Sequence, residues 1–212
     1  MSKSGSPIIL WFRRDLRLSD HAALSAAAQT GRPIIPVFIR DPLVDSLGAA
    51  AKLRMGLAVA QFGTALRAAG SDLILRNGDA LDVLRDLIAE TGATSVYWSR
   101  LYDPPHKSRD TTVKAALKDV DIDAQSFAGH LLFEPWTVTT KTGGFYKVFT
   151  PMWNNVRNLD VGSALPRPKG LLAPGYWPKS DDLRAWGMAD AMNRGAQILA
   201  SYCVVGEHAA QD

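Results

Sequence analysis

Residues 7–20 read Pro-Ile-Ile-Leu-Trp-Phe-Arg-Arg-Asp-Leu-Arg-Leu-Ser-Asp, an apolar run cut off by three consecutive charges. Ile8–Phe12 has the length and composition of one strand buried on both faces. Ser19 and Asp20 then offer N-caps for a helix that starts near His21 and is stopped by Gly31. A strand that feeds a helix in this way carries Arg13, Arg14 and Asp15 to its carboxyl end, the edge at which open α/β sheets bind ligands. No glycine-rich phosphate loop stands there, which argues against dinucleotide-binding and P-loop chemistry.

The pattern then repeats with other residues. Ile34–Ile39 is a second apolar run, and Pro36 within it has to stand at a bulge or where no ladder N–H is needed. A long helix is predicted over Ala50–Ala69, capped by Gly70, with Met55, Val59, Phe62 and Leu66 on one face. Leu73–Leu75 is a third strand, and Asp79 caps a helix that turns Leu81, Leu84, Leu87 and Ile88 inward. Ser95–Trp98 is a fourth strand. Pro104 and Pro105 suit the first turn of a helix that buries Val113, Ala116, Leu117 and Val120. Ile122–Phe127 is a fifth strand. Strands alternating with helices imply right-handed βαβ units. The expected fold is therefore α/β, a three-layer αβα sandwich with a five-stranded parallel, Rossmann-like sheet, followed by an irregular linker.

Composition limits the function. The net charge of +3 permits a polyanionic partner without requiring one. Cys203 stands alone, which excludes an intrachain disulfide and a cysteine-based zinc cluster, and the four histidines show no metal spacing. No apolar stretch approaches the roughly 20 residues of a spanning helix. The first apolar run precedes its arginines, the reverse of a secretory signal. A cytoplasmic, non-membrane protein is expected.

After Phe127 the alternation stops. Leu131–Thr140 reads as partly extended, Thr142-Gly143-Gly144 as a turn, and Tyr146–Val156 as a helix broken or started at Pro151. Pro166, Pro168, Pro174 and Pro178 mark a long irregular strap. Trp153, Trp177 and Trp186 lie in this half without a core of their own, so a further domain is expected to cover them. The run from Val204 to Asp212 starts a helix and stops without a cap, again as though more chain should follow. Lys141, Lys147, Arg157, Arg167 and Lys169 form a basic run around Trp153. Its irregular spacing favours solvation and domain docking over nucleic-acid binding.

Three segments carry a resemblance. Leu10-Trp11-Phe12-Arg13-Arg14-Asp15-Leu16-Arg17-Leu18-Ser19-Asp20 resembles the opening signature of the DNA photolyase and cryptochrome family. Tyr146-Lys147-Val148-Phe149-Thr150-Pro151-Met152-Trp153 is similar to a second family motif. Val205-Gly206-Glu207-His208-Ala209-Ala210 is similar to the start of the family's helical flavin domain. The resemblance implies an antenna α/β domain over residues 1–130, a linker and inter-domain strap over 131–200, and the first residues of an FAD-binding helical domain over 201–212. It further implies a deoxyribodipyrimidine photolyase that splits pyrimidine dimers in UV-damaged DNA by electron transfer from reduced, light-excited FAD. FAD, the damaged DNA and the catalytic residues would belong to the helical domain, so no catalytic residue is expected in this chain. A monomer is expected.

The resemblance also implies a light-harvesting antenna chromophore, of deazaflavin or FMN type or methenyltetrahydrofolate. Folate-binding relatives carry an Asn-Glu pair after the fourth strand, where this chain has Pro105-His106, and that favours the flavin type or an empty site. An antenna needs apolar walls and a few polar anchors. The candidates at the strand ends are Arg13, Arg14 and Asp15 from the first strand and Phe38 and Asp41 from the second. Leu53 on the long helix could add a wall, and Ser99, Arg100 and Asp103 follow the fourth strand. A purely structural role competes for several of them. Asp15 could pair with Arg17 or Arg109, Phe38 could be core, Arg109-Asp110 could be surface charges, and His106 could be a solvated loop residue. Two other functions fit the same residues: a cryptochrome-type blue-light photoreceptor, and a free-standing nucleotide-binding α/β module.

Overall fold

The computed structural model describes residues 5–210. Five parallel strands, β1 (Ile8–Phe12), β2 (Ile34–Arg40), β3 (Ile74–Asn77), β4 (Ser95–Ser99) and β5 (Asp123–Phe127), lie in the order β3-β2-β1-β4-β5. The chain builds outward from β1 to β3 and then returns to place β4 on the other side of β1. The register aligns Ile9 with both Ile35 and Val96. The switch in direction sets the carboxyl ends of β1 and β4 side by side, where Arg13 bridges them to each other by donating to the Ser99 carbonyl.

Strand side chains alternate between two cores. Ile8, Leu10, Phe12 and Phe38 face helices α1 (Ala22–Gln29) and α3 (Ala49–Ala68), where Leu24, Val59, Phe62 and Leu66 meet them. Ile9, Trp11, Val37, Val96 and Trp98 face α4 (Ala80–Thr91) and α5 (Pro104–Lys118), where Leu84, Leu87, Val113 and Leu117 are buried. Burial on both faces explains why the strand sequences are continuous apolar runs. Pro36 is accommodated because β3 pairs with β2 only from Val37 onward, so no strand lies beside it on that side.

Local corrections have physical reasons. Helix α1 is capped by His21, whose Nδ1 accepts the Leu24 N–H at 3.0 Å, and not by Ser19 or Asp20. The C-cap of α3 is Ala69, with Gly70 one residue beyond in the left-handed region at φ 78°. Val120 is exposed because α5 ends before it and Asp121 turns the chain with φ 59°. A short helix, α2 (Pro42–Asp45), follows β2 on an Asp41 cap. The helix after the Gly-Gly turn, α6, is Phe149–Val156. A short helix α7 (Gly195–Leu199) and a 3-10 turn at His208–Ala210 occupy the last part of the chain; Gln211 and Asp212 lie outside the described residues.

The strap is the main difference from expectation. Parts of it pack on the α/β domain, while Leu132, Trp136, Phe145, Phe149 and Tyr176 stay exposed. Leu165 and Asp20 exchange two hydrogen bonds, at 2.8 and 3.1 Å. The Leu172 carbonyl accepts the N–H of Ile34 at 2.9 Å. At the open edge of the sheet, the Leu75 N–H donates to Ser180 Oγ and the Leu75 carbonyl accepts from Asp181 N–H, both at 2.9 Å. The edge strand β3 is thereby closed to pairing with other chains. Trp177 packs on the α4–α5 face, whereas Trp186 and Met188 are buried on the α3 face with Trp186 6.2 Å from the Phe38 ring. Trp153 remains largely exposed and stacks on Phe149. Trp186→Ala should therefore cost about 3 kcal/mol of stability in urea unfolding. Trp153→Ala should stay within about 0.5 kcal/mol. Equal effects would contradict this division.

Candidate functional site

The carboxyl end of β1 is dominated by charges that satisfy one another. Asp15 is only 1% exposed. Its Oδ1 accepts the N–H of Arg13 at 2.9 Å, turning the chain back at the strand end, and its Oδ2 lies 2.8 Å from His21 Nε2. Because His21 Nδ1 accepts the first-turn N–H of α1, the ring hydrogen sits on Nε2, facing the carboxylate. Burial opposes the Asp15 charge, but the facing His21 N–H and the Arg13 charge outweigh it. The carboxyl is held well below the usual carboxylate range. The partner of Asp15 is thus His21, not Arg17 or Arg109. Arg17 instead donates to the carbonyls of Asp20 and Gly129.

Arg13, 6% exposed, reaches across to two other elements. Its guanidinium grips both Asp110 oxygens at 2.8 and 2.7 Å and donates to the Ser99 carbonyl, so β1, β4 and α5 are joined by one side chain. Burial lowers the pKa of this arginine, against the pull of Asp110 and Asp15. Arg109 pairs with Asp110 at 2.8 Å and with Asp41, which also caps α2 through the Val44 N–H at 3.0 Å. Both guanidiniums lie over the Trp11 ring, at 4.7 and 4.6 Å from its centre. The closed set holds Arg13 and Arg109 against Asp15, Asp41 and Asp110.

The nine predicted residues divide accordingly. Arg13, Arg14, Phe38 and Asp41 line the crevice between β1 and β2, together with Arg109 and His106, but its free volume is only about 20 Å³. That is room for a water, not a chromophore. Asp15 and Ser99 are buried beneath it and present nothing to a ligand. Leu53 lies in a separate groove between α3 and the strap. Arg14, 45% exposed, sits 3.6 Å from Asp103, whose other partner is His106. His106 is buried, not solvated, and the Asp103 carboxyl is lowered by this ring and by Arg14 although its slight burial works the other way. Arg100 turns away to the far side of β4. There it pairs with Glu134 at 2.6 Å and stands over the Trp136 ring, at the edge of a second cavity of about 310 Å³.

Sequence reasoning missed His21, and it weighed Arg109 only as an Asp15 partner or, with Asp110, as a surface charge, not as the partner of Asp41 and Asp110. The helical spacing of Asp103, His106 and Asp110, i, i+3 and i+7, would have revealed a face of α5 turned to the strand ends.

A doubly covered parallel sheet with ligand-facing edges at a topological switch point defines a Rossmann-like α/β domain. The chain belongs to the DNA photolyase family, whose profile matches residues 8–169. It is 42% identical over its whole length to a deoxyribodipyrimidine photo-lyase of Agrobacterium fabrum, of which it spans 44%. It is 36% identical, over 81% of its length, to cryptochrome-2 of Arabidopsis thaliana and spans 29% of that protein. Among solved structures, a bacterial class III photolyase from Agrobacterium tumefaciens superposes with a TM-score of 0.83 at 43% identity, covering 87% of this chain and 38% of that one. The chain thus spans less than half the length of these relatives. No helix among the described residues is long and apolar enough to cross a membrane.

Asp15→Asn should destabilise the domain by about 3 kcal/mol at pH 7, because Arg13 and His21 lose a buried partner. The folded carboxyl titrates below its unfolded value near ~4. Its contribution is therefore complete above about pH 4 and fades as pH falls through the folded value. The gap between wild type and variant in urea unfolding should narrow on acidification; a gap independent of pH would contradict the assignment.

Proposed function

We propose that this chain forms the N-terminal part of a deoxyribodipyrimidine photo-lyase, a DNA-repair lyase acting on UV-damaged DNA as a cytoplasmic monomer, and that its own task is to hold a light-harvesting chromophore. The observation that carries this reading is identity of 42% to such an enzyme along the entire chain, against 36% over a shorter stretch for a plant cryptochrome. On this reading residues 1–130 are the antenna domain, 131–200 the linker and strap, and the residues from 201 lead into a flavin-binding helical domain. FAD bound in that domain would supply the electron that splits the dimer. The present residues contribute no group to that step. Their work is to bind and orient the antenna and to brace the adjoining domain.

Two features support the bracing role. The Glu207 carboxylate accepts the N–H groups of Leu18 and Ser19, both at 2.9 Å, and also the Ser19 hydroxyl. The exposed Phe149–Trp153 stack offers an apolar face. The chain alone should bind DNA weakly and split no dimers. Joined to the corresponding C-terminal region of the Agrobacterium fabrum relative, it should repair a dimer-containing oligonucleotide under blue light and not in darkness. A chimera that binds FAD and photoreduces it without repair would favour a signalling photoreceptor and overturn the repair reading.

A further inference from the structure

A cleft of about 360 Å³ lies where the chain leaves β5 and the strap returns to the turn after β1. The turn contributes Arg17 and Asp20, the segment after β5 contributes His130 and Leu132, and the strap contributes Val161 and Leu165. The two hydrogen bonds between Asp20 and Leu165 hold the strap against the turn and fix the walls on that side. The volume falls within the range of about 300–1,000 Å³ taken by small-molecule sites. Leu132 is 77% exposed and Val161 57%, an apolar rim that a guest would cover.

The polar groups of the cleft are only partly engaged. Arg17 donates to the Asp20 carbonyl from Nε at 3.1 Å and from Nη2 at 2.7 Å, and Nη2 also reaches the Gly129 carbonyl at 2.8 Å. These bonds orient the guanidinium but bring no counter-charge. Among the described residues Arg17 has no carboxylate partner, and its Nη1 has no acceptor. Asp20 spends Oδ1 on the Leu165 N–H at 3.1 Å, while its Oδ2 receives no donor among the described residues. The Nε2 of His130 is buried without a hydrogen-bond partner. Burial lowers the pKa of this ring, and Arg13, Arg17 and His21 push the same way against Asp15, so the ring is neutral near pH 7. A buried nitrogen left unpaired is costly, so Nε2 stands as an open hydrogen-bonding position. The cleft thus presents one cation, one anion and one neutral ring nitrogen to a guest, with aliphatic side chains beside them.

We propose that this cleft is a binding site for a small apolar α-amino acid, held as its zwitterion. The carboxylate takes Arg17 Nη1 and His130 Nε2, the ammonium meets Asp20 Oδ2, and the side chain lies against Leu132, Val161 and Leu165. The balance of charge selects this class. A phosphate or a dicarboxylate would set further negative charge beside Asp20, and an amine alone would face Arg17 with nothing to offer it. A zwitterion satisfies both groups at once. The three walls come from distant parts of the sequence, so a bound amino acid would also fasten the strap to the turn after β1. The site stands apart from the clamp at the strand ends, and the inference does not rest on the photolyase reading.

The test is a calorimetric titration of the purified chain with three probes: L-phenylalanine, 3-phenylpropionate, which lacks the ammonium group, and 2-phenylethylamine, which lacks the carboxylate. Phenylalanine should bind about tenfold more tightly than either analogue, the worth of one hydrogen bond to a charged group. It should also raise the Tm of the chain. Asp20→Asn keeps an oxygen for the Leu165 N–H, and asparagine tolerates the backbone φ of 48° at this position. This variant should lose about tenfold in affinity for phenylalanine and none for 3-phenylpropionate. Arg17→Gln should weaken both by about the same factor, with thermal unfolding curves as the check that the fold survives. Equal binding of phenylalanine and 3-phenylpropionate to the wild-type chain would overturn the proposal, because the ammonium would then go unrecognised. Failure of phenylalanine to bind at saturating concentration would overturn it too. Both results come from the wild-type chain and leave the photolyase reading to be judged by repair in the chimera.

Discussion

Arg13 is the side chain on which the rest of the domain is arranged. It stands at the end of the central strand, buried, and needs enough acceptors to compensate for lost water. Asp110 supplies two oxygens and Ser99 a carbonyl, and the backbone N–H of the same residue is taken by Asp15. Meeting those needs fixes how α5 lies against β1 and β4. It also fixes the turn that carries the chain from β1 to His21 and α1. The charges at this edge are therefore a structural clamp. A ligand entering between β1 and β2 would have to break ion pairs already desolvated.

Seen this way, the strand-end edge divides its labour. On the β2 side, Asp41 and Arg109 extend the clamp and fill the space. On the β5 side, Arg100 and Glu134 anchor the turn that carries Trp136, and the space stays open. The two stripes of α5 express the same division. Asp103, His106 and Asp110 turn to the clamp, while Lys107, Thr111 and Lys114 turn to the open cavity.

Much of this was legible in the sequence. The strands could be read because burial on both faces makes each an uninterrupted apolar run, and the helices because their buried positions recur with helical spacing, as with Val59, Phe62 and Leu66. From those alone the strand ends, and so Arg13, Arg14, Asp41 and Asp103, could be assigned to one edge. The pairings within that edge could not. Asp15 has Arg17 two residues away, yet its partner is His21, because capping α1 points the other ring nitrogen at the carboxylate. Arg13 and Asp110 are 97 residues apart, and only the return of the chain to β4 brings them together. Where the strap packs was equally out of reach. Trp177 and Trp186 have no local periodicity, yet Trp186 is buried on one face of the sheet and Trp177 half-buried on the other.

The central claim is that the charges at the β1 terminus bind one another and clamp β1, β4 and α5 together. Hydrogen–deuterium exchange of the wild type and an Asp110→Ala variant tests this most directly. The account predicts faster exchange in the variant at 13–15 and along 104–118, with the edge strand at 74–77 unchanged. Equal exchange of 13–15 and 104–118 in the two proteins would contradict it.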